Sequence, residues 1–172
     1  RTRSPQSICD EIKLLKERYG INYVLFNDEL TFYSRRQCER FIDVMVDNNL
    51  EVYWTADCRA NLFKKDDLEL ALKLKRSGCV GLGYSLESAN GEILKAMNKH
   101  ITTEQFTEQT KVLQKAGITT WTSLVLGYPQ ETEETLKQTF DCCLENRIYP
   151  SSGYLLPQPG TPIYDYAIER GL

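Results

Sequence analysis

The sequence predicts an α/β protein built on one parallel sheet, and three observations carry that expectation. Short apolar runs at residues 23–26, 52–56, 80–86 and 119–126 alternate with segments of helical periodicity. Each run ends in polar, glycine or proline residues, the composition expected where a parallel sheet meets a ligand. Between successive runs lies enough chain for a helical crossover, which parallel neighbours require. An open doubly wound sheet and part of a β/α barrel both satisfy this pattern.

Each element has its own local signals. Ser4 caps a first helix with Pro5 at its first turn, and Ile8, Ile12, Leu15 and Tyr19 repeat at helical spacing up to Gly20. Residues 23–26 form a short strand ending at Asn27, Asp28 and Glu29. Ser34 with Gln37 is a capping box, followed by an inner stripe of Cys38, Phe41, Ile42, Met45 and Val46 that stops at Asn48-Asn49. The strand over 52–56 runs into Asp57, Cys58 and Arg59. Asp66 with Glu69 starts a helix whose Leu68, Ala71 and Leu72 face inward before Ser77-Gly78. The glycine-spaced strand 80–86 reaches a lone acid, Glu87, and a helix beginning at Ser88 places Ile93, Leu94 and Met97 on one face. Thr102 and Gln105 cap the next helix, with Phe106, Thr110 and Leu113 inward and Gly117 as its stop. The strand 119–126 ends at Gly127-Tyr128-Pro129. Thr132 then opens a helix whose early glutamates suit the positive end of its dipole and whose Leu136, Phe140, Cys143 and Leu144 face inward. A last strand at 154–156 precedes Pro157, and Thr161-Pro162 caps a final helix ending at Gly171.

Composition narrows the function classes. The 172 residues suit a single domain, 1–172, with no linker or low-complexity segment. A net charge of −3 leaves no electrostatic footprint for nucleic acid or an anionic membrane. No apolar run approaches the roughly 20 residues of a membrane span, and the start, Arg1-Thr2-Arg3-Ser4-Pro5, lacks a secretory apolar core. The simplest location is the cytoplasm. Cys9, Cys38, Cys58, Cys79, Cys142 and Cys143 include no C-x-x-C pair and read mostly as reduced structural thiols, Cys58 being the least settled because it sits at a strand end. His100, the one histidine, reads as a solvated turn residue. There is no Ser-His-Asp set, P-loop or G-x-G-x-x-G turn. Gly81 and Gly83 lie inside a strand, where they let a neighbouring backbone or ligand approach closely.

Chemistry therefore concentrates at the strand ends. Glu87 is placed to accept a pair of vicinal hydroxyls, as an acid at such a position does for ribose, and Arg59 to pair bidentately with a carboxylate. The competing reading is structural: Asp57 and Arg59 pair with each other or with Glu87. Composition and spacing alone stop at a β/α domain with a polar ligand site.

Four motifs at those strand ends resemble the radical SAM superfamily, in particular its branch often fused to a cobalamin-binding domain, from Asn22 to Leu172. They are the acidic motif Phe26-Asn27-Asp28-Glu29-Leu30-Thr31-Phe32; Gly83-Tyr84-Ser85-Leu86-Glu87-Ser88 with the following Ile93-Leu94-Lys95-Ala96-Met97-Asn98-Lys99; Leu126-Gly127-Tyr128-Pro129-Gln130-Glu131-Thr132 preceded by Ala116-Gly117-Ile118; and the segment from Tyr154 through Pro157-Gln158-Pro159-Gly160-Thr161-Pro162 to Tyr164. The resemblance implies a TIM-barrel-like partial (β/α) barrel of six strands, of which this chain would hold strands two to six. It further implies S-adenosylmethionine across the strand ends, cleaved reductively by a 4Fe–4S cluster to a 5′-deoxyadenosyl radical.

Carried onto this sequence, the resemblance assigns the ribose to Glu87, with Ser85 and Ser88 beside it, and the methionine moiety to Arg59. Leu126-Gly127 and Leu156-Pro157 would pass the adenine, and Asp28 with Glu29 would lie near the methionine amino group or the substrate; Trp54, Trp121 and Tyr128 are candidates for the substrate pocket. The family's C-x-x-x-C-x-x-C cluster loop does not occur here, so it is expected upstream of Arg1 together with a first strand. The chain as given is then expected to bind no cluster and cleave no cofactor, with the rest of its own polypeptide as partner, a small-molecule substrate, and cobalamin in a separate domain. The alternative is a non-catalytic, degenerate β/α barrel that binds a nucleotide or a protein partner.

Overall fold

The order of the strands decides between the two architectures. The computed structural model describes residues 2–171. Its elements are α1 (Pro5–Tyr19), β1 (Tyr23–Leu25), α2 (Arg35–Asn48), β2 (Tyr53–Asp57), α3 (Leu68–Arg76), β3 (Cys79–Gly83), α4 (Gly91–Ala96), α5 (Thr103–Lys115), β4 (Thr119–Leu126), α6 (Glu133–Glu145), β5 (Tyr149–Tyr154) and α7 (Pro162–Glu169). The strands form one sheet in the order β1-β2-β3-β4-β5, every pair parallel. A doubly wound sheet reverses its order at a switch point; this one never does. Right-handed crossovers with consecutive neighbours keep the helices on one side and curl the sheet around the other. The fold is a partial (β/α) barrel.

Side-chain alternation divides the sheet accordingly. Trp54, Ala56, Leu82, Thr120, Thr122 and Leu124 point to the helices and are buried. On the lumen side Thr55, Gly81 and Thr119 stand in one register layer, and Asp57, Gly83, Trp121 and Tyr149 in the next. Under the helices Phe26, Phe32 and Phe41 each pack edge to face on Trp54, with 5.5 Å between the Phe41 and Trp54 rings. The Trp54 Nε1–H donates to the Ser77 carbonyl at 2.8 Å, so the indole buries no unmet donor.

Several expected boundaries shift. Thr102 and Gln105 form the reciprocal box, whereas the Gln37 side chain accepts from Tyr33 N–H instead of the cap residue. Helix α3 is entered through Asp67, not Asp66, and Asp67 makes no side-chain cap bond because its carboxylate is taken by Lys64 N–H and the Arg35 guanidinium. Its buried positions are Ala71 and Leu74 rather than Leu72. Helix α4 starts after Asn90, whose side chain accepts from Glu92 and Ile93 N–H, and not at Ser88.

On α6 the inward face is Thr139, Cys142 and Cys143, leaving Leu144 75% exposed. The reason is polar: the Thr139 hydroxyl accepts from Ala89 N–H at 3.0 Å and ties α6 to the turn after β3, which counting apolar residues does not detect. The last strand covers Tyr149–Tyr154 instead of 154–156. As an edge strand open on its lumen face it needs no apolar run, and the edge tolerates Pro150. All six cysteines are free and buried. Cys58, the unsettled one, is enclosed beside Gln109, and burial pushes its thiol well above the ordinary range. Among the described residues no helix is long and apolar enough to cross a membrane.

Candidate functional site

Beyond β3 the chain keeps hydrogen-bonding to β4 and so delivers Glu87 to the sheet's carboxyl edge. Tyr84 N–H donates to the Trp121 carbonyl, Glu87 N–H to the Ser123 carbonyl, and Val125 N–H returns to the Glu87 carbonyl. Glu87 itself adopts a left-handed backbone, φ 65°, uncommon for a residue with a side chain. Its Oε1 lies 2.8 Å from Lys99 Nζ, and the acid's side chain is only 13% exposed. Its Oε2 is buried and has no donor. Lys99 is set in place by α4, where Ile93 and Leu94 are buried and Lys99 N–H donates to the Leu94 carbonyl at 2.8 Å.

The competing structural reading, Asp57 and Arg59 paired with each other or with Glu87, does not form among the described residues, and Lys99 takes the acid. Among the described residues the Arg59 guanidinium makes no ion pair or hydrogen bond. Its backbone is firmly held: Arg59 N–H donates to the Phe32 carbonyl and Gln109 Nε2 to the Arg59 carbonyl at 3.0 Å. The fully buried Gln109 also accepts from Leu62 and Phe63 N–H, so one side chain fastens the segment after β2.

The glycines of β3 have a concrete use. A Cβ on Gly81 would fall 2.7 Å from Trp121 Cζ3, and one on Gly83 would fall 2.3 Å from Trp121 Nε1 and 2.0 Å from Asp57 Oδ1. The close approach expected at this strand is thus made by the Trp121 indole, laid across both glycines, with the Asp57 carboxylate beside it. Burial raises the Asp57 carboxyl above its ordinary value of 3.8.

These groups surround a cavity of about 680 Å³ whose walls include Glu29, Asp57, Arg59, Ser85, Lys99 and Trp121. His100, exposed in the turn after α4 as expected, stands at its margin. The other expected contacts separate from it. Gly127 and Pro157 line a second, more apolar hollow of about 510 Å³ against Ile163, Tyr164 and Ala167 of α7. Leu126 is half-buried on β4, while Leu156 and Asp28 are exposed. Ser88 is fully buried behind the acid, where its hydroxyl accepts from Asn90 N–H. Trp54 belongs to the helix-side core, and the Tyr128 hydroxyl donates to the Ala96 carbonyl outside the cavity. Sequence reasoning passed over Lys99 and Asp57 as ligand contacts. The signal for Lys99 was a cation closing the short helix that follows the strand-end acid.

The residues present fit S-adenosylmethionine: a buried carboxylate oxygen without a donor suits a ribose hydroxyl, and an unpaired guanidinium suits the amino-acid carboxylate. They do not fit an iron–sulfur cluster, since among the described residues no three His, Cys, Asp or Glu converge.

Comparison with known proteins gives the same direction. Residues 1–143 match the profile of the Radical SAM superfamily. An uncharacterized methyltransferase of Pyrococcus horikoshii is 31% identical over the whole of this chain, which covers 37% of that protein. The bacteriochlorophyllide d C-12(1)-methyltransferase of Chlorobaculum tepidum is 30% identical over 99% of this chain and 37% of its own length. The chain therefore spans little more than a third of these relatives. Among solved structures, the radical S-adenosylmethionine methyltransferase TsrM of Kitasatospora setae, with cobalamin and a [4Fe-4S] cluster bound, superposes with a TM-score of 0.82 at 19% identity, over 98% of this chain and 32% of that one.

Proposed function

We propose that this chain, which belongs to the radical SAM superfamily, forms the cofactor-holding wall of the catalytic barrel of a larger radical S-adenosylmethionine enzyme. The observation that carries the reading is Glu87: an acid kept in a left-handed backbone at the sheet's carboxyl edge, one oxygen paired with Lys99 and the other without a donor. That free oxygen accepts a ribose hydroxyl. Lys99, 2.8 Å from the other oxygen, holds the carboxylate in place, and Arg59 takes the amino-acid carboxylate. Ser85 and Glu29 complete the polar wall, while Gly127 and Pro157 offer the apolar hollow to the adenine. Bound beside a 4Fe–4S cluster, S-adenosylmethionine would supply a 5′-deoxyadenosyl radical by reductive cleavage; among the described residues none forms a ligand set for that cluster.

Methylation is the reaction class we favour, supported by the two methyltransferases at 30% identity or more, with cobalamin carried in a separate domain. The substrate is a small molecule, the location cytoplasmic, and the necessary partner the rest of the same polypeptide. Calorimetric titration of this chain with S-adenosylmethionine tests the core of the reading. Saturable binding that Glu87→Gln weakens at least tenfold is expected. Binding that is absent in the parent, or unchanged in the variant, would overturn the site. These 172 residues are also expected to release no 5′-deoxyadenosine under reducing conditions, and a reconstituted 4Fe–4S absorbance on them would overturn that.

A further inference from the structure

Two carboxylates on the cavity wall, Glu29 and Asp57, have no partner among the described residues, and of these Glu29 is exposed while Asp57 is half-buried. Asp57 ends β2 with its side chain to the lumen, and among the described residues it forms no ion pair and accepts no hydrogen bond through its carboxylate. The only influence that shifts its ionisation is burial, which raises it. Beside it the Trp121 Nε1–H is likewise undonated, and the indole covers Gly81 and Gly83, leaving its other side to the cavity that both residues line. Glycine inside a strand weakens it, by roughly 0.5–1 kcal/mol relative to alanine. In this five-residue strand Gly83 makes room for both Asp57 and Trp121, and Gly81 for the Trp121 ring, with Thr55 Cγ2 next at 3.2 Å.

The cations of the cavity are elsewhere. Lys99 is committed to Glu87 beyond the end of β3, and Arg59 lies two residues past Asp57, outside the β2–β3 register, whereas Asp57 stands within that register opposite Gly83. Glu29 and His100 on the cavity wall come from the loop after β1 and the turn after α4, and of the two other titratable groups there Tyr84 donates its hydroxyl to Thr110 while the Cys58 thiol is buried beside Gln109. Asp57 and Trp121 thus occupy a layer below the groups assigned to the cofactor.

We propose that Asp57 and Trp121 form a recognition site for the substrate, binding a protonated nitrogen attached to or near a flat ring. The carboxylate neutralises the cation, and the open indole face attracts it and stacks on the ring. Asp57 is then the residue that selects a basic substrate. This assignment rests on the cavity being the reaction chamber, as the proposed function has it, but not on Glu87 being the ribose contact.

The test is fluorescence titration of the 172-residue chain, whose two tryptophans are Trp54 in the core and Trp121 in the lumen. Benzylammonium chloride is expected to change the emission saturably. Benzoate and benzyl alcohol at the same concentrations are expected not to, and Trp121→Phe to remove the response. Asp57→Asn, isosteric and expected to fold, should weaken the ammonium at least tenfold; Asp57→Glu should retain part of the response, which a purely structural role would not predict.

Equal binding of alcohol and ammonium, or undiminished binding by Asp57→Asn, overturns the proposal. So does displacement of benzylammonium by S-adenosylmethionine, because that would give the acid to the cofactor's own ammonium. Glu87→Gln should leave the benzylammonium titration unchanged. Failure of the ribose assignment and failure of this one are therefore separate results.

Discussion

Replacing Glu87 by glycine and by alanine separates what the backbone asks of this position from what the side chain does there. At φ 65° a residue with a Cβ is disfavoured by roughly 1–2 kcal/mol, a cost glycine does not carry. Both substitutions remove the Lys99 ion pair, which contributes on the order of 0.5–1 kcal/mol with the lysine 36% exposed. Both also remove a buried oxygen that has no donor, a feature that costs roughly 1–3 kcal/mol where it persists. The side-chain changes are common to the two variants and cancel in their comparison. Only the backbone term differs, reduced by glycine's greater freedom in the unfolded chain, about 0.5–1 kcal/mol.

The glycine variant should therefore be more stable than the alanine variant by about 0.5–1 kcal/mol. Urea unfolding followed by far-ultraviolet circular dichroism measures this as a higher midpoint at unchanged slope. Neither variant should bind S-adenosylmethionine. An alanine variant as stable as the glycine one would refute the argument that Glu87 is held against its backbone preference for the sake of its carboxylate.

Three further outcomes are expected. Burial raises the Asp57 carboxyl above 3.8, so the folded chain binds that proton more tightly than the unfolded one; stability contributed there is full below pH 3.8 and falls as pH rises through the folded value. Asp57→Asn should remove that fall and raise the melting temperature at pH 7 relative to pH 3.5, read by calorimetry at both. Gly83→Ala should destabilise by about 1–3 kcal/mol, because its Cβ falls 2.0 Å from Asp57 Oδ1 and 2.3 Å from Trp121 Nε1, and Gly81→Ala by less, its nearest atom lying at 2.7 Å. Lys99→Met should leave the Glu87 carboxylate without its cation and cost about 1–3 kcal/mol in urea unfolding, Lys99→Arg considerably less.

Much of the architecture was legible because the signals were local. Glycine and threonine punctuation placed α1, α5 and β4 within a residue, since Gly20 and Gly117 both take the left-handed conformation that ends a helix. Where a non-local hydrogen bond outweighs hydrophobicity, the sequence misleads. Thr139 turns inward on α6 because it must receive Ala89 N–H, and Leu144 is turned out as a result. β5 escaped notice for the opposite reason: an edge strand facing an open lumen has little to bury.

At the site, Glu87 and Arg59 were visible as charges at strand ends. Lys99 was not, because its partner lies across a turn and a helix whose path no periodicity reveals. Asp57 was seen at a strand end, where pairing with Arg59 or Glu87 was the competing reading. Only the register that sets it beside Gly83 and Trp121 shows that it faces the lumen alone.

The division of each strand into a helix side and a lumen side has an evolutionary consequence. On β4, Thr120, Thr122 and Leu124 answer to the helix layer, while Thr119, Trp121 and Ser123 answer to whatever fills the barrel. Substitutions on the second set need not disturb packing on the first, so the two can drift under separate pressures. A chain of this kind can exchange one substrate for another by editing every second residue of a few strands. Relatives at 27–31% identity whose names span methyltransferases and a magnesium-protoporphyrin cyclase fit such a history.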